Sequence, residues 1–268
     1  TDRILDEVYA WQNRPLFPFY TFLFIDCLYV PMKTDRALKQ KAVYVILGYD
    51  INGEKDILGI WINETEGKHT WMQIFDEIKN RGVQDIGFIS MDGVSGLEEG
   101  AAAIFPGTVV QRCIVHLIRN SMRYIPWNKS REFLKELKEI YKATNVAEAR
   151  RLFEKFKGKW AAYPGAIAVW KNNFQHVEQL FNYGSNVRRV MYTTNAIESI
   201  NSSFRKVTRK GSFANDEAIL KLLYLRVLEL KNTKWKGKGK VFNWQAVMNQ
   251  LLIDERMSKL IAKYDWLI

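Results

Sequence analysis

The run Phe22-Leu23-Phe24-Ile25-Asp26-Cys27-Leu28-Tyr29-Val30 constrains the fold more than any other stretch of the chain. A segment this apolar reads as a strand in the middle of a sheet, covered on both faces. Its one carboxylate, Asp26, then costs several kcal/mol unless it is paired, hydrogen-bonded or metal-bound. The competing reading is a solvent-facing position on a half-exposed strand. Two more β-rich runs follow, Ala42 to Tyr49 and Ile57 to Ile62, joined by Asp50-Ile51-Asn52-Gly53, where Asn-Gly is a strong turn signal. Three consecutive strands predict a meander.

Helical periods then alternate with strands. Lys68 to Arg81 sets Trp71, Ile74, Phe75 and Ile78 at i, i+3, i+4 and i+7, with Gly82 as the stop. Ile86 to Met91 is a short strand ending at Asp92-Gly93; Leu97 to Phe105 is helical and Thr108 to Arg112 is strand. This α/β order favours parallel pairing of the later strands. From Ser130 to about Gly184 the strand signal fades into three amphipathic stretches, the last carrying Ile167, Trp170, Phe174, Val177 and Phe181. Thr194 to Arg209 and Asn215 to Lys231 read as helices again, the second apolar nearly all round and therefore expected to be buried. The helical block is thus an insertion. The expected organisation is 1–20 as the end of an N-terminal region, 21–128 as the first part of a core, 129–186 as the insertion, 187–231 as the last part of the core, and 232–268 as a basic loop and a final helix from Asn243 to about Tyr264.

A chain of 268 residues, 47% of them hydrophobic, can bury a sizeable core, which excludes overall disorder. Forty Lys and Arg against 29 Asp and Glu leave a net charge of +11, so a polyanionic partner is expected. The surplus is concentrated: Asn186 to Lys240 carries thirteen Lys and Arg against four acids. Nucleic acid fits this pattern, with binding that weakens steeply in salt. No apolar run approaches the roughly 18 residues needed to span a bilayer, so a soluble protein is expected. Two cysteines, Cys27 and Cys113, make a disulfide framework unlikely and a reducing, cytoplasmic interior the expected setting.

Two further acids stand out. Asp92 lies at the carboxyl end of a strand, where ligands of open α/β sheets gather; an ordinary Asp-Gly turn is the alternative. Glu198 lies in Tyr192-Thr193-Thr194-Asn195-Ala196-Ile197-Glu198-Ser199-Ile200-Asn201, which also reads as a capping box made by Asn195 and Glu198. On a helical projection Ile197, Ile200, Phe204 and Val207 form the buried face and leave Glu198, Asn201, Ser202, Arg205 and Arg209 on the other. Three carboxylates converging from distant positions would suit two Mg2+ or Mn2+ ions and phosphodiester chemistry without a nucleophilic side chain. Cys113-Ile114-Val115-His116 lacks the further ligands of a closed zinc site, and His116 reads instead as a group for a phosphate or for orienting an acid. Trp127, Trp160 and Trp170 are expected in the core of the helical block, with base stacking as the alternative.

The ordered motifs resemble the Mutator-type transposases of bacterial insertion sequences. They run from Trp11-Gln12-Asn13-Arg14-Pro15-Leu16 and Ile25-Asp26-Cys27-Leu28-Tyr29-Val30 through Asn80-Arg81-Gly82-Val83, Asp92-Gly93 and Gln111-Arg112-Cys113-Ile114-Val115-His116-Leu117-Ile118-Arg119-Asn120 to Tyr192–Asn201 and Asn215-Asp216-Glu217-Ala218. Cys27 departs from the family's usual small residue there, and Met91 from its usual Ser. The resemblance implies a mixed five-stranded RNase H-like sheet with flanking helices, interrupted by an all-helical insertion. It also implies Asp26, Asp92 and Glu198 as a DDE triad, Cys113 and His116 as the C-x-x-H pair, and Mg2+-dependent cleavage followed by strand transfer. Arg119, Asn195, Asn201, Arg205, Lys206, Arg209 and Lys210 are the residues expected at double-stranded DNA, at element ends and target, with a homodimer as the natural assembly and no organic cofactor. The other readings are a catalytically idle DNA-binding regulator and an RNase H-like nuclease.

Overall fold

The computed structural model describes residues 2–33, 38–63, 67–93, 96–192, 195–209, 211–233, 235 and 239–268, with the side chains of Asp2 and Asn195 outside that description. The chain divides into two compact units. One comprises Thr1–Val110 and Thr194–Ile268, the other Gln111–Thr193. In chain order the first unit begins with α1 (Asp2–Gln12), β1 (Phe19–Lys33), β2 (Leu38–Tyr49), β3 (Lys55–Asn63), α2 (Lys68–Asn80), β4 (Asp85–Met91) and α3 (Leu97–Ile104), and the boundary falls inside β5 (Val109–Arg112). The second unit holds α4 (Ile114–Met122), α5 (Trp127–Tyr141), α6 (Val146–Lys159), α7 (Pro164–Lys171), α8 (Phe174–Leu180) and α9 (Ser185–Tyr192). The first unit then resumes with α10 (Asn195–Thr208), α11 (Asp216–Asn232), α12 (Trp244–Leu251) and α13 (Glu255–Lys263).

The five strands form one mixed sheet in the order β3-β2-β1-β4-β5, in keeping with an RNase H-like fold. β1, β2 and β3 are the antiparallel meander, and β4 joins β1 in parallel after the α2 crossover. The meander turn is tightened by Asp50, whose Oδ1 accepts from the amides of Asn52 at 2.8 Å and Glu54 at 2.9 Å. Gly53 closes it at φ 74°, where a Cβ would come within 2.4 Å of the Trp244 ring. Both the backbone region and the space therefore demand glycine. One face of the sheet is covered by α2 through the four residues its period singled out, Trp71, Ile74, Phe75 and Ile78, all buried with Tyr44, Leu23 and Ile89. Burying large aliphatic and aromatic side chains of this kind stabilises by about 1.5–3 kcal/mol each.

The strand edges lie close to the expected ones: β1 to β4 extend one to four residues at one or both ends, and β5 begins one residue later, at Val109. Three helical expectations change. The third amphipathic stretch of the insertion is two helices, α7 and α8, because the chain turns at Asn172 and Asn173 before Phe174. The final helix is also two, since Asp254 caps α13 by accepting from the amide of Met257 at 2.8 Å. A side chain that satisfies the amides of a new first turn ends the old helix and starts another. α11, expected to be buried all round, keeps Leu225 exposed while Ile219, Leu223, Tyr224, Val227 and Leu230 are covered. Within the second compact unit, Gln111–Thr193, α4 packs on α5 and α7.

That second unit has an aromatic core. Phe133 meets Trp160 edge-on at 4.9 Å, and Phe153 stacks on Phe174 at 4.3 Å. Trp170 is fully buried and donates its indole N–H to Ser121 Oγ at 3.1 Å. Trp160 and Trp170 therefore pack as expected, whereas Trp127 is 93% exposed at the start of α5.

Candidate active site

Asp26 sits where the sheet changes character. Up to Ile25, β1 is flanked by β2 and β4 and every residue is buried; β4 ends at Met91, the register partner of Ile25. Beyond that point β1 continues against β2 alone and its side chains alternate between buried and exposed. Asp26 is the first residue past the end of the β4 pairing, and Asp92 is the first residue past β4 itself. Parallel strands lie about 4.8 Å apart, so Asp92 leaves β4 next to the point where β1 carries Asp26. Asp26 is only 8% exposed and Asp92 half-buried.

α10 runs beside this end of β1. The segment after it pairs with the strand: Phe213 and Met32 form a parallel bridge, the Lys33 amide donates to the Phe213 carbonyl at 2.8 Å, and the Phe213 amide donates to the Pro31 carbonyl at 3.1 Å. From the other side Arg226 of α11 donates through Nε to Ser203 Oγ at 2.6 Å. Between these anchors Asn201 donates through Nδ2 to Asp26 Oδ2 at 2.7 Å, while Asp26 Oδ1 accepts from the Cys27 amide at 2.9 Å. Asp26 is thus neither on an open surface nor buried bare: it accepts one hydrogen bond from its own strand and one from the helix.

Glu198 is half-buried one helical turn before Asn201. Residues three apart on a helix have Cβ atoms about 5–6 Å apart on one side, so the third acid belongs to the turn next to the one that touches Asp26. Among the described residues no three His, Cys, Asp or Glu side chains form a group that could hold a metal ion. Asp26 and Asp92 follow the paired residues Ile25 and Met91, and Glu198 precedes by one turn the Asn201 that bonds Asp26. Two carboxylates at about 4 Å repel by roughly 4 kcal/mol at an effective dielectric of 20, the cost that a divalent cation between them would offset. The donors available are of the hard-oxygen type that Mg2+ and Mn2+ prefer. One of them is an orphan: Asn201 Oδ1 is buried with no hydrogen-bond partner among the described residues.

Asn201 is a correction to the helical projection. Expected at DNA, it is 0% exposed and spends its amide on Asp26. Ser203 and Thr208 are buried as well, because α10 is covered by β1 on one side and α11 on another, which leaves more than one buried stripe. Arg205 and Lys206 are exposed on the same helix, and Arg209 is exposed just past its end. Lys210, Thr193, Thr194 and the Asn195 side chain lie outside the described residues, and with them the capping-box reading. Cys113 is a buried thiol at the N-cap of α4, His116 is half-buried in the first turn, and Arg119 is exposed one turn on. All three belong to the helical unit. No helix among the described residues is long and apolar enough to cross a membrane.

The chain matches the family described as "Transposase, Mutator family" over residues 1–237. It is 42% identical over 239 residues to the transposase for insertion sequence element ISRM3 of Rhizobium meliloti (strain 1021), covering 88% of this chain and 60% of that protein. It is 35% identical over 272 residues to a probable insertion-sequence transposase of Corynebacterium diphtheriae, covering 94% of this chain and 79% of the relative. A third relative, the transposase for IS256 in transposon Tn4001 of Staphylococcus aureus, is 29% identical over 211 residues, covering 77% of this chain and 54% of that protein. The chain therefore spans between about half and four-fifths of these relatives' lengths. A five-stranded mixed sheet in keeping with the fold, a family match over most of the chain and relatives up to 42% identical together establish that it belongs to the Mutator family of transposases.

Proposed function

We propose that this chain is the catalytic core of an insertion-sequence transposase, which cuts DNA at the ends of its element and joins the freed 3′-hydroxyl to target DNA. Asp26, Asp92 and Glu198 are the metal-holding carboxylates in this reading. The observation that supports it is the parallel pairing of Ile25 with Met91, the residues before Asp26 and Asp92, together with the bond from Asn201, one turn after Glu198, to Asp26. Two Mg2+ or Mn2+ ions held there would supply Lewis-acid charge at the phosphate and lower the pKa of an attacking water. The protein's own residues orient Asp26 through Asn201 and the Cys27 amide. Exposed Arg205, Lys206 and Arg209 take phosphates of double-stranded DNA, a contact that positions the backbone without reading sequence. Arg119 serves the same purpose on the helical unit, and His116, beside Cys113, donates to a phosphate. The residues are organised as an RNase H-like core split by a helical insertion. Two element ends need two centres, which makes a homodimer acting on the cytoplasmic nucleoid the working form.

The test is Mg2+-dependent nicking of plasmid DNA, and joining of a precut element-end oligonucleotide to target, by Asp26→Ala, Asp92→Ala and Glu198→Ala. Each is expected to lose cutting and joining while its circular dichroism stays that of the parent. A variant that cuts like the parent removes its residue from the triad, and cutting without joining turns the assignment to a nuclease.

A further inference from the structure

We propose that Asn201 is a positioning residue for Asp26, fixing the plane of its carboxylate for metal binding; this rests on the reading of Asp26 as a metal ligand. Asn201 is 0% exposed, in a helix whose neighbouring buried positions are Ile197, Ile200 and Phe204. A carboxamide is a poor choice for such a place. Only its Nδ2 is used, donating to Asp26 Oδ2 at 2.7 Å, and Oδ1 is buried with no partner among the described residues. An apolar side chain of the same shape would pack there without leaving an acceptor unsatisfied. Packing therefore does not account for an amide at 201; the bond to Asp26 does. The orientation of the amide is not arbitrary, since an ionised carboxylate only accepts and the nitrogen must face it.

The second argument is geometric. Asp26 Oδ1 accepts from the Cys27 amide of its own strand and Oδ2 from Asn201 on α10, so each oxygen is held by a donor from a different element. Two donors at two oxygens set the torsion of the carboxylate, which neither could do alone. Partners of this kind hold metal ligands in the direction the ion needs. Nor is Asn201 needed to dock the helix, because α10 is anchored independently by Ser203 to Arg226 and by the bridge of Phe213 to Met32. With Glu198 one turn away, the same bond ties the helix of the third acid to the first.

The experiment measures Mn2+ affinity of the whole chain, by the electron paramagnetic resonance signal of free Mn2+, together with kcat and KM for DNA cleavage. Asn201→Leu keeps the branching of the side chain and removes the donor. It is expected to bind Mn2+ more weakly by roughly 10–100-fold, and to lower kcat at unchanged KM for DNA. Ser203→Ala, which loosens α10 at its other anchor, is expected to keep the parent's Mn2+ affinity. A folded Asn201→Leu with the parent's Mn2+ affinity overturns the proposal, as does an equal loss in Ser203→Ala. If the leucine variant does not fold, Asn201→Ala is read by the same criteria, and failure of both to fold makes Asn201 a purely structural residue. Asp26→Ala separates the two levels: undiminished Mn2+ binding there sinks the metal assignment of Asp26 and this proposal with it, whereas diminished binding there with none in Asn201→Leu sinks this proposal alone.

Discussion

The sheet unit and the helical unit differ in the polar groups they bury. Among the described residues, the buried Asp and Lys side chains, Asp26, Lys41 and Asp50, all lie in the sheet unit, as does the half-satisfied amide of Asn201. The helical unit buries Gln111, Ser121 and His176 but no Asp, Glu, Lys or Arg among the described residues. Gln111 there donates to the His176 carbonyl at 2.7 Å and Ser121 accepts from the Trp170 indole, so both serve packing. Charge kept inside a core costs stability unless it is compensated. In the sheet unit Asp50 holds the meander turn while Asp26, beside the end of the β1–β4 pairing, is bonded by Asn201, whereas the polar groups buried in the helical unit hydrogen-bond its own core.

If that contrast is right, lesions in the two units fail differently. The largest effect is expected for Asp92→Ala, a loss of DNA cleavage of on the order of 10³-fold, with a thermal midpoint close to the parent's; a large fall in stability instead would make Asp92 structural. Trp170→Ala should show the reverse, costing about 3–5 kcal/mol in denaturant unfolding, and a cost under about 1 kcal/mol would break the claim that this core is held by its rings. Replacing Arg205 and Arg209 together by alanine should flatten the salt dependence of DNA binding by about 0.9 in slope for each phosphate left without its cation. An unchanged slope moves the DNA-binding face off α10. The smallest effect is expected at Asn145, whose side chain accepts from the Glu148 amide at 2.9 Å to cap α6. Asn145→Ala should cost about 1 kcal/mol and leave cleavage untouched, and a cleavage defect there would blur the division between shape and chemistry.

Much of this was legible before folding. Phe22 to Val30 reads as a strand covered on both faces, and β1 is buried on both faces as far as Ile25. Trp71, Ile74, Phe75 and Ile78 are buried as their spacing requires. The break between α7 and α8 was not legible, because Ile167, Trp170, Phe174, Val177 and Phe181 continue one helical period straight through the turn at Asn172 and Asn173. A capping signal was present at Asp254 and could have divided the last helix.

The linear chain determined the element types and the chemical character of the site: short continuous apolar runs bounded by turn signals read as buried strands, 3.6-residue periods as helices, and a lone acid in such a strand demands a partner. Tertiary structure alone decided what that partner is. A projection of α10 assumes one covered stripe, but β1 and α11 cover it from two directions, so Asn201 passes from the open side to the interior and reaches Asp26. The strand register decided likewise that Ile25 and Met91, the residues before Asp26 and Asp92, are paired, since β1 and β4 join residues more than sixty positions apart and no local pattern encodes where one strand ends against the other.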